Sequence, residues 1–228
     1  MHKTIPPREL DRNFALATPP VEIALVVICV LIAEWAILPV FGKNYLAGLL
    51  PVITALVIIL LSHRAYGESA HDIGWRVDNI GRALLVLLPG MLAASLPLAA
   101  FGLLYGSLSL GRVEAGWPLA WTFIGLFAWG LLQQYALQGF INRRAQMIWG
   151  AGTRSVLFVA SAFALLHLPN LGLAAATFFG GLLWSWAYQR APNLLVLGLS
   201  HSLMTAVLVL TVPYSWLHGM RVGYGYFL

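Results

Sequence analysis

Carboxylates are what this chain lacks. Past Glu114 no position holds an aspartate or a glutamate, and only 9% of the 228 residues are charged. A soluble domain carries about a quarter charged residues, so a surface facing water on all sides is excluded. Cysteine is nearly absent as well. The single Cys29 rules out an intramolecular disulfide framework and a cysteine-rich zinc site, and its apolar neighbours mark it as a buried thiol. Basic residues outnumber acidic ones by 13 to 8, yet none forms a run longer than Arg143-Arg144. A nucleic-acid footprint needs a basic stripe, and there is none. A cleavable leader is not expected either: residues 1–20 are polar and Pro-bearing, and the first apolar stretch is long enough to span a bilayer.

What the chain has instead is apolar length. Hydrophobic residues fill 60% of it, and mean hydropathy is +0.83. These runs predict an all-α fold, a polytopic transmembrane helical bundle of about seven spans, with six to eight compatible with the run lengths. The spans fall at 21–41, 45–61, 83–105, 118–141, 155–168, 171–188 and 193–212. Residues 1–20 form an N-terminal segment, 21–212 the membrane domain and 213–228 a C-terminal tail. The fifth span is short and runs into Leu168-Pro169-Asn170, which predicts a tight hairpin with the sixth. Pro89 and Pro97 are expected to bend the third.

Charge sets the expected orientation. With the N-terminus cytoplasmic, only Lys43, Arg112 and Arg221 lie outside and the other ten Lys and Arg residues inside. Trp117, Trp149, Trp184, Trp186, Tyr188, Tyr214 and Trp216 fall near span ends, as aromatic belts do. Segments 62–82 and 142–153 read equally well as interfacial stretches and as plain loops. Gly172, Ala176 and Gly180 recur every four residues, a stripe that admits another helix closely.

The polar residues inside spans carry the functional signal. They are Glu34, Gln133, Gln134, Gln138, His167 and His201, with Ser200 and Thr205 behind them. At the helical rise per residue, Gln133, His201, His167 and Glu34 lie about 12, 14, 18 and 19 Å from the cytoplasmic ends of their spans. Each alone suits a helix–helix hydrogen bond. Gathered at one depth, they read equally well as a buried hydrophilic site.

Three stretches have a recognisable order. The first is Gln133-Gln134-Tyr-Ala-Leu-Gln138-Gly139-Phe140. The second is Phe163-Ala-Leu-Leu-His167 followed by Leu168-Pro169-Asn170. The third is the small-residue helix around 178–190, then Asn193 to His201. Across about 121–205 this arrangement resembles the CPBP (CAAX protease and bacteriocin-processing) intramembrane proteases, also called the CAAX prenyl protease/Abi family. That family carries EExxxR, FxxxH and HxxxN in this order. The resemblance implies a CPBP-protease-like fold and an intramembrane endopeptidase. Its catalytic positions are Gln133, Gln134, His167 and His201, and its substrate-binding positions Gln138, Phe163, Asn170 and Thr205. It also implies membrane lipid and a membrane-associated or transmembrane peptide as partners, and no nucleic acid.

The departures from the pattern are coherent. Gln133 and Gln134 stand for the two glutamates, Gln138 for the arginine and Thr205 for the asparagine, so two negative charges and one positive charge vanish together. In the family the glutamates are thought to activate water, with the histidines helping to bind it, the oxyanion or a metal. An amide orients water but is no base near neutral pH. Zinc would have His167 and His201 as ligands, an incomplete set, so no cofactor is expected with assurance. Glu34, the only carboxylate deep in a span, is a candidate substitute base, as is a neutral histidine. Three readings follow: a pseudoprotease that binds a membrane peptide, an active endopeptidase with a His or Glu34 base, and a small transporter. The last is disfavoured by the lack of an inverted repeat or paired broken helices.

Overall fold

The computed structural model describes residues 18–42, 44–108 and 119–228, and among them the ordered elements are all helical. We label the longer helices α1 (Pro19–Phe41), α2 (Tyr45–Ala65), α3 (Ile80–Leu104), α4 (Leu119–Gln134), α5 (Arg143–Trp149), α6 (Thr153–Leu165), α7 (Leu171–Arg190) and α8 (Leu194–Thr211). A π-helical turn, Tyr135–Asn142, joins α4 to α5 without a break, and a second, Ala33–Ile37, lies within α1. Asparagine starts three helices. Asn44, Asn170 and Asn193 each accept a hydrogen bond from a first-turn amide of the helix that follows.

Five helices (α1, α2, α3, α7 and α8) are long and apolar enough to cross a membrane, and α6 is a shorter apolar helix. Their outer faces carry residues such as Leu46, Leu85 and Leu96 that water would not tolerate in such numbers. The chain is therefore a multi-pass integral membrane protein built as a helical bundle. Each of the seven expected spans coincides with a helix, α4 and the π turn supplying the fourth. Helices α2 and α3 continue past Pro51, Pro89 and Pro97, which lie inside them.

The expected hairpin is α6 against α7. Its close contact is at Gly181, where an added Cβ would lie 2.9 Å from the Ala160 Cα. The Gly172–Ala176–Gly180 stripe does not form that contact: Gly172 faces the Trp216 carbonyl and Gly180 the Trp184 ring. One step along the helix separates expectation from finding.

Within segment 142–153, α5 continues the helix as far as Trp149 and Arg144 is completely buried. Nε of Arg144 donates to Glu22 at 3.1 Å, and its terminal nitrogen donates to Glu68 at 2.9 Å and to the Ser62 hydroxyl at 2.8 Å. Its guanidinium also lies over the Tyr66 ring at 4.3 Å. Arg143 donates to the other Glu68 oxygen at 2.5 Å, and His63 Nδ1 meets Glu68 at 2.6 Å. Burial alone would raise the Glu68 carboxyl, but hydrogen bonds from His63 and Arg144 and the two arginine charges hold it at about 2. The cluster ties α1, α2, the following loop and α5 together at one end of the bundle.

The tail folds back on the bundle. Asn170 donates to the carbonyls of Leu217 and Arg221 at 2.6 and 3.1 Å, and the Gly223 amide donates to the Leu168 carbonyl at 3.0 Å. Gly223 has φ +55°, and a Cβ there would lie 2.5 Å from the Glu34 carbonyl oxygen, so this position requires glycine. The tail thereby seals against the π turn of α1.

Candidate functional site

Two glycines decide how closely α4 and α8 approach. A Cβ on Gly198 would lie 3.0 Å from the Leu131 Cα, and one on Gly130 would lie 2.9 Å from the Ser202 hydroxyl. The Ser202 hydroxyl bonds across to the Leu126 carbonyl at 2.9 Å. One turn on from Gly130, this proximity brings the Gln134 amide nitrogen to 3.0 Å from Nδ1 of His201. Both side chains are buried, Gln134 completely. The amide donates, so neutral His201 holds its proton on Nε2 and Gln134 Oε1 is left buried without a partner. Turning the amide over would make Nδ1–H the donor and orphan the NH2 group instead. Either way the imidazole is held by a neutral group.

The same imidazole is clamped on its faces. The Trp184 ring stacks on His201 at 4.7 Å with 5° between planes, and Phe163 approaches at 6.0 Å. Trp184 is fixed in turn, because its indole N–H donates to the Ser200 hydroxyl at 3.0 Å. The belt position expected for Trp184 is not what the structure shows: the ring is buried against His201. The signal was there: an indole in an apolar helix needs a partner for its N–H, and Ser200 sits beside His201.

His167 follows α6, in the turn before α7. Its Nδ1–H donates to the Phe163 carbonyl one helical turn back at 2.7 Å, and the two rings meet edge to face at 4.7 Å. A carbonyl only accepts, so Nε2 carries the lone pair of the neutral ring. The FxxxH spacing therefore has a local physical cause.

Gln133, His167, His201 and Glu34 all line one cavity of about 740 Å³, together with Phe163 and Thr205. The rest of the wall is almost wholly apolar, contributed by α1, α2, α3, α7 and α8, and Met220 and Val222 bring the tail onto it. Convergence at one level, read from the span depths, is thus present as a shared cavity.

Three of the named positions lie off the cavity wall. Gln134 stands behind His201. Gln138 is fully buried and donates to Ser185 at 3.2 Å, while its oxygen accepts from Asn142 at 2.7 Å. Gln189 and Gln146 extend the chain by donating to the Asn142 oxygen at 3.0 and 3.1 Å. The wider i→i+5 turn lines up residues four apart, so 134, 138 and 142 share one buried edge. Asn170 is also fully buried; its side chain caps α7 and anchors the tail. A direct ligand contact, the role expected of Gln138 and Asn170, is not what their surroundings provide.

Residues 115–207 match the family model described as Rce1-like, Type II CAAX prenyl endopeptidase Rce1-like. Over this segment the chain is similar to the CAAX-protease family. The matched stretch holds both histidines, the glutamine pair and the helices that set their geometry. The chain matches none of the curated proteins or solved structures with which it was compared.

Beside the charged motif of that family the site is electrically plain. The segment that matches the family contributes no carboxylate at all. Each histidine already has Nδ1 engaged, and among the described residues no three His, Cys, Asp or Glu side chains gather to hold a metal ion. Zinc, which needs three or four such ligands, does not fit this donor set. What the arrangement offers is directional: an amide, two imidazoles and an apolar trough beside them.

Proposed function

We propose that this CAAX-protease-like membrane protein holds a membrane-embedded peptide segment in the cavity without the glutamate-activated water of its relatives. Gln133, His167 and His201 meet the peptide's polar groups, Gln134 positions His201, and the apolar wall takes side chains or a lipid-like chain. The observation that carries this reading is the Gln134–His201 hydrogen bond. The family position for a base is occupied by a buried amide that fixes a neutral imidazole. The N-terminus faces the cytoplasm in this reading, which puts the Arg143–Arg144 end inside, in line with the ten-to-three charge bias.

A photo-crosslinking side chain placed at Thr205, on the cavity wall, tests it in native membranes. Adducts with intact transmembrane or lipidated peptides support the reading, and crosslinks to lipid alone count against it. A second reading, hydrolysis with Glu34 or His167 as base, is favoured by one observation: Glu34 lines the same cavity as both histidines. Peptide cleavage by the unaltered protein that Glu34→Gln abolishes would support it.

A further inference from the structure

Glu34 is the one acidic side chain on the cavity wall among the described residues, and no lysine or arginine lies on that wall. Its carboxylate has no hydrogen bond or ion pair to any described residue. The backbone around it is fixed by the π turn of α1 and by Gly223 packed on its carbonyl. A carboxylate left unpaired in a membrane interior takes up a proton or a cation. A bare metal ion does not fit, since no three ligating side chains gather among the described residues. The rest of the wall suits an organic cation. Trp129, Phe163, Phe179 and Trp184 line the same space, and aromatic faces attract cationic groups most strongly where water is excluded. At about 740 Å³ the cavity lies within the size range of sites for drug-sized molecules.

We propose that the cavity binds a lipophilic organic monocation, with Glu34 as its counter-ion and the aromatic wall enclosing its apolar body. This goes beyond the peptide reading and stands independently of it, because the peptide is held by Gln133 and the histidines.

The test uses the full chain in lipid nanodiscs, with empty nanodiscs subtracted. Radiolabelled tetraphenylphosphonium is the probe and tetraphenylborate its like-shaped anion. Saturable binding of the phosphonium alone is expected. Glu34→Gln should weaken it by roughly tenfold or more, and Glu34→Asp should retain it. If Glu34→Gln fails to fold, the unaltered protein answers instead: phosphonium should protect Glu34 from a hydrophobic carbodiimide, read by mass spectrometry. Equal binding by a folded Glu34→Gln variant, equal binding of the borate, or unprotected labelling of Glu34 would overturn the proposal. None of these outcomes bears on peptide crosslinking at Thr205, so the two ideas fail separately.

Discussion

Gln134 and His201, 67 positions apart in sequence, meet at 3.0 Å because Gly130 and Gly198 let their helices touch. The site is thus set by backbone approach as much as by the polar residues themselves. Replacing Gly198 with valine inserts atoms where the Leu131 backbone already lies 3.0 Å from a would-be Cβ. Overpacking of this kind typically destabilises by about 1–3 kcal/mol. Gly198→Val is expected to lower the thermal midpoint and to reduce peptide crosslinking at Thr205. Unchanged crosslinking in a folded variant would detach the site from this helix contact.

Arg144 is the most consequential single side chain outside the cavity. It is fully buried between Glu22, Ser62 and Glu68. Truncating Arg144 removes the cation beside buried Glu22, while Glu68 keeps Arg143 and His63; breaking a buried pair typically destabilises by about 3–5 kcal/mol. Arg144→Ala should therefore fail to accumulate or should unfold well below the parent temperature. Removing all three charges together, as Glu22→Gln, Glu68→Gln and Arg144→Met, should do less harm than Arg144→Ala alone. Thermal unfolding of the two purified variants compares them.

Glu68 makes stability depend on acidity. Its carboxyl sits at about 2 in the fold, against an ordinary value of 4.5. On acidification the unfolded chain takes up this proton first, so the contribution is complete above pH ~4.5 and disappears as pH falls towards ~2. The shift corresponds to stabilisation on the order of 3 kcal/mol. Midpoints measured from pH 7 down to pH 3 should fall more steeply for the parent than for Glu68→Gln, which starts lower. Parallel curves would show that the carboxylate contributes little.

Much of this was legible in the sequence, for reasons that also explain what was not. Apolar runs located the helices, five of them long and apolar enough to cross a membrane, because lipid demands such runs. Four mid-span polar residues, Glu34, Gln133, His167 and His201, converge on one cavity because a bundle has only one interior to offer them. The charged cluster was not legible. Glu22 belongs to no motif and Arg144 reads as one more inside charge, and their contact spans 122 residues with no local pattern to announce it. Gln138 and Asn170 read as ligand contacts through their motif positions, yet their amides satisfy buried neighbours.

The neutral surroundings of Gln138 can be probed by charge. Gln138→Arg alone would bury a guanidinium beside Ser185 and Asn142 with no carboxylate near, and should destabilise by roughly 3–5 kcal/mol. Adding Gln134→Glu four residues earlier on the same buried edge supplies a counter-charge. The double variant should recover a large part of that loss. Additive losses would show that the two positions do not communicate.

We propose that this site binds a membrane peptide but does not cut it. The direct measurement incubates the purified protein in nanodiscs with a panel of transmembrane and lipidated peptides and follows intact mass over time. The unaltered protein should retain peptide and leave it whole, while Gln133→Glu, Gln134→Glu and Gln138→Arg together should yield fragments that His201→Ala then suppresses. Cleavage by the unaltered protein that His201→Ala abolishes would contradict the account.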